Sequence, residues 1–314
     1  MDKYSNILVV ANTNHESQPA LSRAAYLAKK QENVSITLFL AIYDFSYEMT
    51  SMLSSDERDA MRKGMIQQQK SLLAEYCESY PELNIDIHVI WHNRHYEAII
   101  DYVHDKNIDL VMKASRHHDI LETIIFTPTD WHLLRKCPCP VLLVKDHEWP
   151  EGGNILTSVN IATEDDNHHL LNDKLVKESL EISQLVNGNV NLVNAYPATP
   201  ANIVIEIPEF DPSSYTDAVR GHHLTSMKAL RQKFSLAEED VHVLEGIPEE
   251  IIPQVAEKID AELVVLGTIG RTGLSAAFIG NTAEQTIDQL NCDLLAIKPD
   301  GYISPLKPET KIED

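Results

Sequence analysis

Positive charge is scarce in this sequence. Its 314 residues include 26 Lys and Arg against 48 Asp and Glu, which gives a formal net charge of −22 at pH 7. A surface this acidic repels the phosphate backbone of nucleic acids and the headgroups of anionic lipids. The composition therefore argues against binding to DNA, RNA or a membrane surface, and it is typical of an acidic protein kept in solution by its charge.

Long hydrophobic runs are also missing. No apolar run approaches the roughly 18 residues that a membrane-spanning helix requires. The first run, from Ile7 to Val10, has strand length and lacks the preceding basic residues of a secretory signal. Four cysteines are too few for a disulfide framework in a chain of this length: Cys77, Cys137, Cys139 and Cys292. The sequence therefore predicts a cytoplasmic protein.

Cys137 and Cys139 flank Pro138 just before the apolar run 141–144. Such a pair could bind a metal or cycle between thiol and disulfide. Its spacing, however, differs from that of thioredoxin-like sites, and no second pair lies nearby in the sequence. We interpret it as the turn that leads into a buried strand.

The second half of the chain repeats the first. A shift of 153 residues places Leu110 on Leu263 and residues 139–145 on 292–298, with no gap from His88 to Lys145. Few residues are identical, but the apolar positions stay in register, as two copies of one fold require. We therefore expect two domains, residues 1–150 and 151–314, each long enough to bury its own core.

The connection between the two halves is short. Residues 145–153 include Pro150 and the pair Gly152-Gly153, which favour a turn. A linker of this length gives the halves little freedom to separate, so we expect them to pack as an intramolecular pseudo-dimer. Further homo-oligomerisation is left open.

Strand-length apolar runs alternate with amphipathic segments in each half. In the second half, strands are predicted at 155–161, 190–195, 241–244, 263–267 and 294–298, and helices at 172–185, 215–234, 249–258 and 282–290. The runs are rich in Val, Ile and Leu, as in strands covered on both faces. The predicted fold class is α/β: two tandem doubly wound domains, each a five-stranded parallel sheet with helices on both faces.

A glycine-rich segment follows the fourth predicted strand of the second half. It contains Gly267, Gly270 and Gly273 and ends at Gly280, where a helix is predicted to begin. Glycine lets the backbone approach an anion closely, and the first amides of a helix favour negative charge. Because doubly wound sheets bind ligands at the carboxyl ends of their strands, this segment is a candidate phosphate site. The alternative is a simple turn before a helix capped by Asn281 and Glu284.

The spacing Gly267-x2-Gly270-x9-Gly280 resembles the G-x2-G-x9-G-[S/T] motif of the universal stress protein family. Residues 281–284 and Cys292 resemble that family too, and the resemblance extends over both halves. It implies an adenine nucleotide alpha hydrolase-like fold. It also implies a cytoplasmic stress-response protein that binds ATP or a related adenine nucleotide, with a regulatory rather than a clearly catalytic role.

In ATP-binding members of that family, the motif glycines and the next hydroxyl residue hold the ribose and phosphates. The end of the first strand and the backbone after the second contact the base. The resemblance therefore implies these binding residues: Asn160, Ala195, Gly267, Gly270, Arg271, Gly280, Asn281 and Thr282. Asn281 stands where Ser or Thr is usual, and Asn160 where Asp is usual. Without that carboxylate charge, a divalent cation such as Mg²⁺ should be recruited less well.

The first half lacks the motif. The same shift replaces the three glycines by Ala114, His117 and Thr127, and puts Pro128 in place of Asn281. Proline supplies no N–H group for an anion, although Thr127-Pro128 is a favourable helix start. The first half is thus predicted to keep the architecture and to lose the ATP site.

No catalytic residue or metal site can be identified from the sequence. Nucleophile motifs and paired carboxylates at a defined spacing are missing. The family resemblance nevertheless leaves slow ATP hydrolysis open. The histidines that cluster in the sequence lack a matching Cys or carboxylate scaffold for zinc: His117-His118, His92 with His95, His168-His169 and His222-His223. The pair His117-His118 is predicted to lie in a polar loop. The alternative function is an interaction scaffold without a nucleotide, with an apolar metabolite held under residues 197–212.

Overall fold

The computed structural model describes residues 3–14, 17–46, 54–118, 123–125, 127–161, 166–198, 211–268 and 281–306. The chain divides into two compact units. The first ends at Glu148 and the second begins at Trp149, while the described residues from Tyr302 to Leu306 belong with the first unit.

The main sheet of the first unit has five parallel strands in the order β7-β4-β1-β2-β3. A separate antiparallel pair is formed by β5 and β6. In chain order the elements are β1 (Asn6–Val10), α1 (Pro19–Ala28), β2 (Ser35–Ile42), α2 (Ser55–Cys77), β3 (Asn84–Trp91), α3 (His95–Lys106), β4 (Leu110–Ala114), β5 (Arg116–His118), β6 (Thr123–Ile125), α4 (Pro128–Lys136) and β7 (Val141–Val144).

The second unit has the same plan. Its five parallel strands follow the order β10-β9-β8-β11-β12. Its elements are β8 (Asn154–Ser158), α5 (Asp166–Val186), β9 (Asn189–Tyr196), α6 (Pro212–Lys233), β10 (Val241–Glu245), α7 (Pro248–Lys258), β11 (Ala261–Gly267), α8 (Asn281–Gln289) and β12 (Asp293–Ile297).

The order of strands reverses once in each sheet. From β1 the chain moves outward to β2 and β3, then returns to the other side of β1 to form β4 and β7. Right-handed crossovers then put α1 and α2 on one face and α3 and α4 on the other. Consecutive residues of β4 are buried, as expected for a strand covered on both faces: Leu110, Val111 and Met112. The predicted fold class is confirmed.

Equivalent strands of the two units pair in the same register. Val111 pairs with Val141 in the first unit, and Val264 pairs with Leu294 in the second, each partner being shifted by 153 residues. Past the strand ends, the N–H of Ser115 donates to Val144 O over 2.9 Å and that of Thr268 to Ile297 O over 3.1 Å. Positions related by this shift can therefore be compared directly.

Three local expectations need correction. The strand β8 ends at Ser158 rather than at residue 161, because the N–H of Asn160 is bound by the Asn172 side chain instead of a neighbouring strand. The helix α5 begins at Asp166, before the predicted residue 172. His117 and His118 belong to the short strand β5 and not to a loop.

The Cys137-Pro138-Cys139 segment leads from the end of α4 into β7, as predicted. Both thiols are buried, and their Sγ atoms lie 3.6 Å apart. None of the four cysteines, all of which are described, forms a disulfide. Thiols buried away from solvent are poor nucleophiles, so the arrangement fits a packing role.

Burial of histidines makes the stability of the protein depend on pH. Desolvation is the largest cause lowering the pKa of six of them: His88, His95, His132, His147, His223 and His242. Below a pH of about 6.5 the unfolded chain binds protons at these positions that the native protein does not bind. The free energy of unfolding should therefore fall as the pH falls below that value.

Urea denaturation at pH 7.5 and 5.5 measures this difference. The substitution His223→Gln should reduce it, whereas His169→Gln, at an exposed position, should leave it nearly unchanged. Equal free energies of unfolding at the two pH values in the wild-type protein would contradict the expectation.

Candidate functional site

The carboxyl ends of β9, β8 and β11 lie side by side at one edge of the second sheet. The register pairs Ser158 with Val193 and Thr157 with Val265. Asn160 and Ala195 come two residues after Ser158 and Val193, and Gly267 comes two residues after Val265 at the end of β11. Three of the predicted binding residues are thus brought together beside β8 and β11, where the strand order reverses and where ligands bind in folds of this type.

The remaining predicted residues belong to the loop after β11. Gly270, Arg271 and Gly280 lie outside the described residues. Asn281 and Thr282 are the first two residues of α8, so a helix begins directly after Gly280 as predicted. The segment carrying the motif therefore connects a strand end to a helix N-terminus.

The peptide of Asn160 is held by the side chain of Asn172. The N–H of Asn160 donates to Asn172 Oδ1 over 3.0 Å, and Asn172 Nδ2 donates to Asn160 O over 2.7 Å. Asn172 lies in α5 and is buried, whereas Asn160 is exposed. With its N–H and its carbonyl both bound to Asn172, the backbone of Asn160 is fixed beside the end of β8.

A second amide holds the preceding carbonyl. Asn194 of β9 donates from Nδ2 to Val159 O over 3.0 Å, and its Oδ1 lies 2.6 Å from Nδ1 of His223 in α6. Since Oδ1 can only accept, Nδ1 of His223 carries the hydrogen. Burial, reinforced by neighbouring His222, lowers the pKa of His223 and favours its neutral form.

Gly267 serves the packing of the strand end as well. A Cβ atom at this position would lie 2.8 Å from Cδ2 of Leu171 in α5. The next residue, Thr268, is buried, and its Oγ1 has no hydrogen-bond partner within the described part of the chain. An unpaired buried hydroxyl beside the loop is a candidate ligand contact that sequence reasoning missed.

A cavity of about 330 Å³ lies between α5 and α6. Its apolar lining is formed by Ile161, Ala229 and Leu230, and Asn172 also faces it. An ion pair between Asp173 and Lys233, both of which line the cavity, links the two helices. The cavity therefore combines an apolar wall with polar groups, as small-molecule pockets do.

Sequence reasoning did not single out Asn172 or Asn194, and it named His223 only as one of the clustered histidines considered for zinc. Asn172 and Asn194 bind main-chain groups 12 and 35 residues away. A polar residue inside an apolar strand such as β9 was the available signal, because such a side chain needs a buried partner. It does not identify the partner.

Two further observations concern other classes of function. Within the described ranges, no three His, Cys, Asp or Glu side chains form a group that could hold a metal ion. No helix in those ranges combines the length and the apolar character needed to cross a membrane.

The fold defines the chain as a tandem doubly wound α/β protein. In its second sheet, a glycine-containing loop follows β11, next to β8, where the order of strands reverses. The universal stress protein family matches residues 3–145 and 171–298. The chain therefore belongs to the universal stress protein family.

Full-length relatives support this assignment. A protein of Salmonella typhi named universal stress protein E is 58% identical over 310 residues, covering 98% of each chain. Its namesake in Escherichia coli K12 is 56% identical over 317 residues, covering all of both chains. Among solved structures, a Pseudomonas aeruginosa protein described as functionally unknown has a TM-score of 0.74 and 26% identity, covering 95% of this chain and 94% of its own.

Removing the Asn172 side chain should destabilise the protein at the end of β8. We expect Asn172→Ala to lower the free energy of unfolding by about 1–3 kcal/mol, because the N–H and the carbonyl of Asn160 both lose their hydrogen-bond partner. Asn172→Asp should also destabilise, since a carboxylate can accept from the Asn160 N–H but cannot donate to its carbonyl. Urea denaturation measures both effects.

A matched control is Gln184→Ala, at an exposed position of the same helix. It should change the stability by less than about 0.5 kcal/mol. Equal effects of Asn172→Ala and Gln184→Ala would show that the bonds to Asn160 contribute nothing.

Proposed function

We propose that this chain is a cytoplasmic stress-response protein that binds ATP or a related adenine nucleotide in its second unit. The observation that carries the proposal is the position of the glycine loop. It starts at Gly267, the last residue of β11, next to β8 where the strand order reverses, and leads directly into α8. The free amides and the dipole of a helix N-terminus favour a phosphate group, and glycines let the backbone approach it closely.

The proposed contacts divide between the two ends of the nucleotide. The side chain of Asn160 and the backbone at Ala195 contact the base. The ribose and phosphates are held by the loop and the start of α8: Gly267, Gly270, Arg271, Gly280, Asn281 and Thr282. The two hydrogen bonds from Asn172 support the proposal, because they fix the backbone of Asn160 beside the end of β8.

The proposed role is regulatory binding. Among the proposed contacts none is a carboxylate or a histidine, which are the usual general bases for activating water. Hydrolysis, if it occurs, should be slow. The measurement that decides is phosphate release above the background of a variant with a disrupted glycine loop.

Substitution of the motif glycines tests the binding. The wild-type protein should bind ATP in a calorimetric titration, and Gly270→Val or Gly280→Val should weaken it by roughly tenfold or more, the equivalent of about 1.4 kcal/mol. A branched side chain blocks the close approach of backbone and phosphate. No binding by the wild-type protein at millimolar ATP would reject the proposal.

Two substitutions serve as controls. His117→Val changes the position of the first unit that corresponds to Gly270 and should leave ATP binding unchanged. Gly221→Val tests a glycine in α6 that has open space around it and lies away from the loop. A loss of binding in either control would mean that the motif variants act through general destabilisation.

The amide of Asn160 should make binding only weakly dependent on a divalent cation. In the wild-type protein, replacing Mg²⁺ by EDTA should alter the ATP affinity little. The variant Asn160→Asp supplies a carboxylate oxygen, a preferred ligand of Mg²⁺, and should make the affinity Mg²⁺-dependent. The same dependence in both proteins would contradict this assignment of Asn160.

The cavity between α5 and α6 supports a second candidate function. Its volume of about 330 Å³ and its apolar wall would suit a small apolar metabolite, held by a non-nucleotide interaction scaffold. Native mass spectrometry of the purified protein distinguishes the two candidates. A co-purified apolar metabolite supports the scaffold, and a co-purified nucleotide supports the main proposal.

A further inference from the structure

We propose that the first unit fills the anion position of its own sheet with the carboxylate of Asp130, neutralised by Lys113, and so excludes a free phosphate. The position is the start of α4, facing the carboxyl end of β4 beside the strand reversal. The inference concerns the first unit alone and holds whether or not the second unit binds a nucleotide.

Asp130 closes the N-terminus of α4. Its Oδ2 accepts hydrogen bonds from the N–H of Thr127 over 2.6 Å and from Thr127 Oγ1 over 2.7 Å. Thr127 Oγ1 in turn accepts from the N–H of Asp130 over 3.3 Å. A carboxylate thus occupies the end of the helix where the exposed amides and the dipole favour an anion.

Lys113 supplies the opposite charge from the strand. Its Nζ lies 2.6 Å from Asp130 Oδ1, and the two side chains are 14% and 0% exposed. Nζ also donates to the carbonyl of Ala114, the last residue of β4, over 3.2 Å. A carboxylate that is fully removed from water requires such a partner, because an isolated buried charge is strongly unfavourable.

The second unit lacks both charges. The shift of 153 residues, which the shared register supports, places Leu266 at the position of Lys113 and Ala283 at that of Asp130. The unit with the glycine loop therefore has an alanine at this point of its helix, and its acidic residue, Glu284, comes one position later. The unit without the loop provides its own anion there, together with a matched cation.

Helix capping alone does not explain the pair. Thr127 already caps α4, and Asp130 completes a capping box through its Oδ2. The contact of Oδ1 with Lys113 adds a charge from a different element, the strand that ends at the reversal. A cation aimed at the start of a helix from a strand end is the arrangement that binds an oxyanion, and here the oxyanion belongs to the chain.

Removal of the carboxylate should convert this position into a site for an external oxyanion. The full-length protein would carry Gly270→Val, so that the second unit's loop does not contribute, with or without Asp130→Ala. Thermal unfolding is then followed with sodium formate or sodium phosphate, against sodium chloride at equal ionic strength. We expect either oxyanion to raise the Tm of the Asp130→Ala protein in a saturable manner.

The response should be missing in the protein that retains Asp130, and it should be lost when Lys113→Met is added to Asp130→Ala. A folded Asp130→Ala protein whose Tm responds to neither oxyanion would overturn the proposal. An equal response in the protein that retains Asp130 would overturn it as well. Neither result would bear on ATP binding by the second unit.

A second set of variants covers failure of Asp130→Ala to fold. Asp130→Asn keeps an acceptor for Thr127 and removes the charge. Lys113→Met alone should lower the Tm more than Lys113→Met combined with Asp130→Asn, because the single variant leaves a buried carboxylate without a cation. A double variant no more stable than Lys113→Met would show that the charge pair is not what holds this position.

Discussion

Parallel pairing of the first strand with the fourth, β1 with β4 and β8 with β11, determines where each unit can hold a ligand. At these two places the crossovers leave toward opposite faces, which creates the crevice where folds of this type bind ligands. The peptide groups beyond the last ladder bond must find other partners there. Side chains supply several of these partners.

The two units meet this requirement for partners with different chemistry on the same register. Beyond β8, amide side chains take the peptide groups of Val159 and Asn160. Beyond β4, an ammonium group and a carboxylate face each other across the gap between the strand end and α4. The amide arrangement in the second unit is uncharged, and the Asn160 side chain is exposed. In the first unit the two charges, of Lys113 and Asp130, neutralise each other. A repeat with one backbone can therefore have two edges that differ in what they accept.

Much of this architecture was predictable, and the reasons are local. Buried parallel strands appear as runs of Val, Ile and Leu, and Thr127-Pro128 marks a helix start through its side-chain acceptor and fixed φ. The internal repeat supplied the alignment of positions, which the strand register supports. The edge residues of the glycine loop followed from the motif and from the rule that ligands bind at a strand reversal.

What escaped prediction depends on contacts between distant residues. Residues 159–161 are apolar enough to extend β8, but Asn172 takes the N–H of Asn160 and ends the ladder. The hairpin of β5 and β6 is too short and polar to show a strand period. Lys113 lies in a strand among apolar residues, and only the fold shows that its ammonium group meets Asp130, 17 residues later, in another element.

The choice of amides around the end of β8 has an electrostatic consequence in a chain with a net charge of −22. An amide donates and accepts, so Asn172 satisfies both peptide groups of Asn160, which a carboxylate could not do. It also adds no negative charge at an edge where a phosphate is proposed to approach. The amide of Asn160 has the same effect. An Asp at this position could bind a divalent cation, but its charge would repel an anionic ligand that carries no cation. Under the proposed function, a neutral edge would favour a ligand whose charge is met by backbone amides and the proposed contact Arg271, and Asn160→Asp would exchange that preference for dependence on Mg²⁺.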